Sequence, residues 1–172
     1  MITKIYISRK LESLVSKSAI KAEDKVHDNP LGKWNATIFY VSHKKCLMIT
    51  NNNAIYTVIL DRIKTSDFSD LSKIFAETLF EQLLADDIKI DKSILLSMIG
   101  KVELFETDND KSVIGIQNSV LPYVEDWKYE FGHIDNWPFR EINRRINEIP
   151  YKQIEWLLPK EKMKLELNLK SV

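Results

Sequence analysis

The stretch from Trp34 to Leu60 constrains the fold more than any other part of the sequence. It contains three apolar runs rich in β-branched and aromatic residues, which are Ala36–Val41, Cys46–Thr50 and Ala54–Leu60. Two short polar breaks, Ser42–Lys45 and Asn51–Asn53, separate these runs. Short apolar runs between Ser, Asn and Lys clusters are typical of strands that are joined by tight turns. The stretch therefore predicts an antiparallel three-stranded meander.

The rest of the chain predicts helices that pack on this meander. Two further strands are expected at Ile2–Ile7 and Lys101–Glu106, and a loop or frayed helix at Lys17–Asn29. Apolar residues at helical spacing predict helices at Arg9–Ser16, Phe68–Leu84, Lys92–Ile99, Ser112–Phe131 with a break at Pro122, Phe139–Ile149, and from Pro159 onwards. We therefore expect the α+β class, with an antiparallel sheet built on the meander and flanked by helices. At 172 residues the chain fits a single domain, in which residues 151–172 could form a helical appendage.

Charge and composition narrow the class of protein. The chain has 25 Lys and Arg against 25 Asp and Glu, so its formal net charge is zero. This balance counts against a strongly basic nucleic-acid binder, although it is compatible with a local basic patch. A single cysteine, Cys46, excludes an intramolecular disulfide and fits a reducing compartment. Because no apolar stretch is long enough to span a membrane and the first residues are too charged for a signal peptide, we expect a cytoplasmic protein without membrane association.

The usual signatures of metal and cofactor chemistry are missing from the sequence. The three histidines, His27, His43 and His133, have no ligand partner at metal-binding spacing. The chain contains neither a glycine-rich phosphate loop nor a nucleophile elbow. We therefore expect no metal and no cofactor. His43 is interpreted as an exposed turn residue, and Cys46 as a buried structural thiol.

Three polar clusters remain as candidate binding groups. The first is Trp34, Asn35 and Thr37 at the start of a predicted strand, and the second is Thr50–Asn53. The third lies on the helix before Pro150 and consists of Asn143, Arg144, Arg145 and Asn147. Two arginines beside amides could hold a phosphate or a carboxylate. Alternatively, one arginine pairs with Glu141 or Glu148 while the asparagines tie the helix to a loop.

Three separated motifs carry a resemblance that spans nearly the whole chain. They are W-N-A-T-x5-H-K-K-C-L-x-I-T-N, K-S-V-I-G-x-x-N and N-R-R-I-N-x-x-P. Together they resemble a family of small bacterial proteins that is known only as a domain of unknown function. In that family the first motif more often has His where this chain has Asn35, Asn in place of Thr37, and an Arg pair in place of His43–Lys44. The second motif more often has Asn-Arg in place of Asp110–Lys111.

The resemblance implies one domain and no particular activity. The matching residues are Lys45, Cys46, Thr50, Asn51, Ser112, Gly115, Asn118, Asn143, Arg144, Arg145, Asn147 and Pro150. Combined with the polar clusters, they give a set of candidate binding residues: Trp34, Asn35, Lys45, Asn51, Ser112, Asn118, Asn143, Arg144 and Arg145.

Three hypotheses for function follow from these residues. The favoured one is a small binding or regulatory protein that recognises a protein partner or a small anionic ligand through a groove lined by Trp34, the Asn51 turn and Arg144–Arg145. The second is a metal-independent enzyme that acts on RNA, with His43, Lys44, Lys45 and the two arginines as its working groups; nucleic acid is not the favoured partner, because the net charge is zero. The third is a homo-oligomeric interaction protein with an exposed patch of Trp127, Trp137 and Trp156.

Overall fold

A six-stranded sheet lies at the centre of the structure, a computed structural model that describes residues 1–21 and 29–170. The strands in chain order are β1 (Ile2–Ile7), β2 (Ile20–Lys21), β3 (Trp34–Val41), β4 (Lys44–Asn51), β5 (Thr57–Leu60) and β6 (Lys101–Phe105). They lie side by side in the order β2-β6-β1-β3-β4-β5. The α+β class predicted from the sequence is confirmed.

The predicted meander forms β3, β4 and β5, which are antiparallel neighbours. Ser42 and His43 make the two-residue turn between β3 and β4 with φ angles of 49° and 60°. Positive φ at both positions is what a tight hairpin between right-twisted strands requires. The third strand begins at Thr57 instead of Ala54, because the Asn51 side chain accepts hydrogen bonds from the backbone N–H groups of Asn53 and Ala54 and closes a turn there.

The sheet is mixed, so the prediction of an antiparallel sheet was wrong for its other half. Strand β1 is parallel to both of its neighbours, β3 and β6, and β2 is parallel to β6. Parallel neighbours need crossover connections of roughly a dozen residues or more. The long segments between β1 and β3 and between β5 and β6 provide such connections. A short apolar run predicts a strand but does not indicate whether that strand is parallel or antiparallel to its neighbours.

Helices and 3-10 turns cover both faces of this sheet. The α-helices are α1 (Arg9–Glu12), α2 (Leu71–Ala85), α3 (Lys92–Ile99), α4 (Lys111–Val120), α5 (Tyr123–Phe131), α6 (Phe139–Asn147) and α7 (Pro159–Lys170). The 3-10 turns are Lys17–Ala19, Thr65–Asp70, Ile134–Asn136 and Lys152–Ile154. The predicted break at Pro122 is confirmed, since it separates α4 from α5.

Local capping explains where the observed helices differ from the predicted ones. Ser8 caps α1 as its sequence position suggests, but α1 ends at Glu12 and not at Ser16. Helix α4 is capped by Asp110, whose carboxylate accepts from the backbone N–H groups of Ser112 and Val113, so the helix begins before Ser112. Short polar side chains at the N-cap satisfy N–H groups that the helix itself leaves unpaired.

The two faces of the sheet bury separate apolar cores. The first packs alternate residues of the meander against α2, α3 and α7, and its centre is Trp34, whose ring meets Phe75 edge-on with centroids 5.0 Å apart. Met163 and Leu167 of α7 belong to this core. The C-terminal segment that could have formed an appendage therefore packs against the sheet through α7.

The second core packs the opposite side chains of β4, among them Cys46 and Met48, against α4, α5 and α6. Trp127 and Trp137 lie in this core at 6% and 5% exposure, whereas Trp156 is 67% exposed. The three tryptophans therefore do not form one exposed patch.

Part of the predicted loop at Lys17–Asn29 lies outside the described residues, and so does His27. Its beginning forms a 3-10 turn and then β2. Within the part of the chain that the structure describes, no helix has both the length and the apolar character that crossing a membrane requires.

Replacing two glycines should have opposite effects on stability. Gly100 has a φ of +59°, and a Cβ there would lie 2.1 Å from the Met1 carbonyl oxygen, which accepts the hydrogen bond from Lys101 N–H. We expect Gly100→Ala to lower the free energy of unfolding by about 2 kcal/mol or more. Gly115 lies within helix α4 with no heavy atom near its added Cβ, so Gly115→Ala should raise stability by about 0.5–1 kcal/mol. Urea denaturation of both variants measures these changes, and equal losses would contradict this account of Gly100.

Candidate functional site

The asparagines of the N-R-R-I-N motif complete the hydrogen bonding of an edge strand. Strand β5 is last in the sheet, and α6 lies along its open edge. The Asn147 amide accepts from Thr57 N–H at 2.8 Å and donates to the Thr57 carbonyl at 2.9 Å. One helical turn earlier, Asn143 accepts from Ile59 N–H at 3.1 Å. Two side-chain amides thus take the place of a neighbouring strand. The asparagines tie the helix down, but to strand β5 and not to a loop as the alternative prediction had it.

The two arginines of this motif are held by partners within the protein. Arg145 forms a double hydrogen bond with the Glu130 carboxylate at 2.9 and 3.1 Å and lies 3.6 Å from Glu141. Arg144 donates to the Ala85 carbonyl, and its Nε lies 3.6 Å from the Asp86 carboxylate. The guanidinium groups of both arginines are therefore already engaged in structural contacts.

A buried polar chain links α6, which packs in the second core, to the first core. Asn143 donates to Gln82, Gln82 donates to Asp86 at 3.2 Å, and the Tyr56 hydroxyl donates to the other Asp86 oxygen at 2.6 Å. Burial raises the pKa of Asp86 above its ordinary value, and burial together with the Asp86 carboxylate raises the pKa of Tyr56. These groups satisfy one another and have no exposed surface for a ligand.

Trp34 and Asn51 also lie inside the protein. Trp34 is 0% exposed and Asn51 is 1% exposed. The Asn51 side-chain oxygen serves the turn, and its amide N–H donates to the Leu31 carbonyl at 2.8 Å, so both ends of the side chain are bound inside the protein. The groove predicted between Trp34, the Asn51 turn and Arg144–Arg145 is therefore not formed by these residues.

Asn35 belongs to a second polar group, which we call the Lys33 cluster and which consists of Lys33, Asn35, Asn52, Asp108 and Asp110. The Lys33 ammonium lies 2.6 Å from Asp108 and 3.3 Å from Asp110. Asn35 donates to Asp108 at 2.9 Å, and Asn52 donates to Asp110 at 2.8 Å. Although burial alone would raise it, hydrogen bonds from Lys33 and Asn35 hold the pKa of Asp108 below its ordinary value. The cluster fastens the loop after β6 to the start of β3.

The remaining candidates from the second motif lie on α4. Ser112 and Asn118 are both exposed there, and the backbone N–H of Ser112 is bound by the Asp110 cap. Neither side chain comes into hydrogen-bond contact with another candidate residue. Ser112 and Asn118 thus lie on the exposed side of α4, and the opposite side of this helix packs on the sheet.

Lys45 lies at a different place, in a cleft of about 510 Å³ at the end of the meander. We call it the basic cleft, and its lining is His43, Lys44, Lys45, Arg62, Ile63, Lys64 and Thr65. The first three residues come from the turn and the start of β4, and the others follow β5. A backbone hydrogen bond of 2.9 Å from Ile63 N–H to the Lys45 carbonyl holds the two segments together.

The charge in the basic cleft is poorly compensated. Arg62 pairs with Asp61 at 2.7 Å and with Asp135 at 3.2 Å. Lys44, Lys45 and Lys64 form no ion pair with any described residue. Two other clefts, of about 550 and 490 Å³, carry carboxylates of Glu12, Glu106 and Glu141 among their lining residues. The basic cleft has no carboxylate in its lining.

Catalytic and metal-binding groups are not evident near this cleft. Cys46 is buried beneath the hairpin, and burial raises its pKa to about 11, so the thiol is protonated at neutral pH. Among residues 1–21 and 29–170, no group of three or more His, Cys, Asp or Glu side chains is arranged to hold a metal ion.

Arg62 and Lys64 were missed by sequence reasoning. The sequence feature that indicates them is the run D-R-I-K directly after the third apolar run. Like H-K-K at the first turn, this run is rich in basic residues. In an antiparallel pair, the residues that begin one strand lie beside those that end the next. The predicted meander therefore places the two basic runs side by side at one end of the sheet.

Taken together, these features define an α+β protein with a mixed sheet, a helix that completes the edge of that sheet, and a basic cleft at the end of the meander. The chain belongs to the family described as Domain of unknown function (DUF6933), which matches residues 4–162. This match confirms the resemblance found in the three motifs. No curated protein and no solved structure matches the chain.

Removing the Asn147 amide should destabilise the fold. Asn147→Ala leaves the buried N–H and carbonyl of Thr57 without partners, and each such group costs about 1–3 kcal/mol. We expect the free energy of unfolding to fall by at least about 2 kcal/mol in urea denaturation. Asn118→Ala, on the exposed surface of α4, is the matched control and should change stability by less than about 0.5 kcal/mol. Similar values for the two variants would show that the edge contact adds nothing.

The Lys33 cluster should contribute stability that depends on pH. Because the folded state holds the pKa of Asp108 below its ordinary value, ionised Asp108 stabilises the fold at neutral pH, and this contribution is lost as pH falls through the lowered pKa. We expect the stability difference between the wild type and Asp108→Asn to be largest near neutral pH and to shrink below about pH 4. Urea denaturation across this pH range provides the measurement.

Lys33→Met should remove much of the same pH dependence, because the Lys33 ammonium is one of the groups that lower the pKa of Asp108. A gap between wild type and Asp108→Asn that stays constant with pH would contradict the assignment.

Proposed function

We propose that this protein binds an anionic ligand in the basic cleft. The observation that carries the proposal is the lining itself, which includes four Lys and Arg residues and one His but no acidic residue. The formal net charge of the chain is zero, so this concentration of positive charge is a local feature of the cleft and not a property of the whole protein. The favoured hypothesis of a binding protein for an anionic partner is thereby kept, and its site moves from the predicted groove to the end of the meander.

The backbone around the cleft supports a binding role. His43, Lys44 and Lys45 belong to a two-residue hairpin turn and the strand that follows, and the segment after β5 is fixed to Lys45 by a backbone hydrogen bond. Side chains on strands and tight turns lose less freedom on binding than those on a long loop. The backbone positions that carry these cations are thus fixed relative to one another before any ligand arrives.

Electrostatics gives the cleft its selectivity for anions. A concave surface lined by one sign of charge focuses the field and raises the local concentration of the opposite charge. Arg62 is already paired with two carboxylates, so the cationic residues of the lining that are left to bind a ligand are Lys44, Lys45 and Lys64. Binding through exposed ammonium groups weakens with added salt, because the screening length is only about 8 Å at physiological ionic strength.

The other hypotheses stay predictions. His43 lies in the same cleft as Lys44 and Lys45, but Arg144 and Arg145, which an RNA-cleaving site was to use, are engaged by Ala85, Asp86, Glu130 and Glu141. Of the three tryptophans proposed for self-association, Trp156 is the exposed one. We also propose a cytoplasmic location, which the buried free thiol of Cys46 supports.

Charge reversal tests the proposed function. Titration of the protein with inorganic phosphate, pyrophosphate and tripolyphosphate, followed by calorimetry or NMR shifts, should show binding that strengthens with the charge of the anion and weakens with salt. The double variant Lys45→Glu and Lys64→Glu should abolish it, because both residues line the cleft. The control is Lys152→Glu combined with Lys89→Glu, which makes the same change of net charge at exposed positions outside the cleft. Equal losses in both double variants, or no anion binding at all, would reject the proposal.

A further inference from the structure

We infer that the ligand of the basic cleft is a nucleotide, free or within a single strand, whose base stacks on Tyr40 while its phosphate lies among the lysines. This inference rests on the proposed function and names the class of anion. The observation behind it is the position of the partly exposed Tyr40 side chain, which lies directly opposite Lys45 of the cleft lining in the pairing of β3 with β4.

Strand register places Tyr40 next to the cleft. In the antiparallel pairing of β3 with β4, Tyr40 lies directly opposite Lys45, which lines the cleft. Residues opposite each other on such a pair point to the same face, with Cβ atoms about 5 Å apart. The Tyr40 ring and the Lys45 ammonium therefore extend from the same face at the same level of the sheet.

Tyr40 is the one side chain on its face of β3 that reaches solvent. Trp34, Ala36 and Ile38 on the same face are between 0% and 3% exposed, whereas Tyr40 is 39% exposed. Its neighbours fill the first core, and Tyr40 lies where that core ends and the turn begins. The ring is anchored by a rigid strand and leaves part of its surface open, as a stacking platform requires.

The chemistry of the neighbouring groups fits a nucleotide better than a simple anion. Aromatic side chains stack on nucleobases without regard to sequence, and positively charged grooves beside them hold the phosphates. Lysine ammonium groups act as compact point charges that bind phosphate, and the planar fork of Arg62, which suits carboxylate and phosphate alike, is occupied by Asp61 and Asp135. A cleft of about 510 Å³ also lies within the size range of pockets that bind small molecules.

Paired probes separate base recognition from charge recognition. The full chain is titrated with inorganic phosphate, AMP and a short single-stranded oligouridylate, using NMR shifts for the small probes and fluorescence anisotropy for the labelled strand. We expect AMP or the oligonucleotide to bind at least about ten-fold more tightly than phosphate. A tighter oligonucleotide indicates a strand as the source of the nucleotide, and a tighter AMP indicates a free nucleotide.

Substitution of Tyr40 provides the decisive arm. Tyr40→Ala should weaken nucleotide binding about ten-fold and leave phosphate binding unchanged, because it removes the ring and no cation. Tyr40→Phe keeps the ring and should retain the wild-type affinity. Tyr40 is partly exposed, and circular dichroism together with unchanged phosphate binding shows that each variant is folded.

Two negative results have different meanings. The inference is overturned and the proposed function stands if phosphate binds in a manner sensitive to Lys45→Glu and Lys64→Glu, while Tyr40→Ala leaves nucleotide affinity unchanged or neither AMP nor the oligonucleotide binds better than phosphate. If none of the three probes binds, the proposed function and this inference fail together.

Discussion

The hydrogen bonds along the edge of β5 hold helix α6 onto the sheet. An open strand edge presents unpaired N–H and carbonyl groups, and such edges invite pairing with other chains. Here the amides of Asn143 and Asn147, one helical turn apart, form hydrogen bonds with the open backbone groups of β5. Helix α6 thereby covers this edge of the sheet. Because the same helix is connected to α2 through Gln82 and Asp86, the edge contact also joins the two cores. The motif N-R-R-I-N is explained by this structural role without a ligand.

The basic cleft depends on the same sheet geometry at its other end. Strands β4 and β5 are antiparallel, so the start of β4 and the segment that follows β5 must lie side by side. The first carries H-K-K and the second carries R-I-K, and each lies beyond the region covered by apolar side chains. Six or more charged residues on a surface are ordinary, but four cations without a carboxylate in one concave site concentrate the field. The cleft is therefore a consequence of strand order, combined with the placement of the basic residues at strand ends.

Sequence patterns predicted the local structure well and the long-range pairing only in part. The meander, the break at Pro122 and the helix before Gly100 all follow from residues within a few positions of one another, and each is confirmed. The parallel pairing of β1 with β3 and β6 joins segments far apart in the chain, and no local pattern encodes it. For the site, polarity in the motifs gave Lys45, but it also gave Trp34 and Asn51, which are buried because one fills the core and the other closes a turn. A polar or aromatic motif residue looks the same in sequence whether it serves the fold or a ligand.

The first motif shows the same division between structure and site. Asn35 supplies an N–H donor to the Asp108 carboxylate and so anchors the Lys33 cluster to the start of β3. Its carbonyl oxygen is buried without a hydrogen-bond partner among the described residues, so this amide serves the fold through its N–H groups. At the hairpin, His43 occupies a left-handed turn position at φ 60°, and Lys44 beside it brings positive charge to the cleft. Positions within one motif thus supply a hydrogen-bond donor to the interior and a cation to the surface.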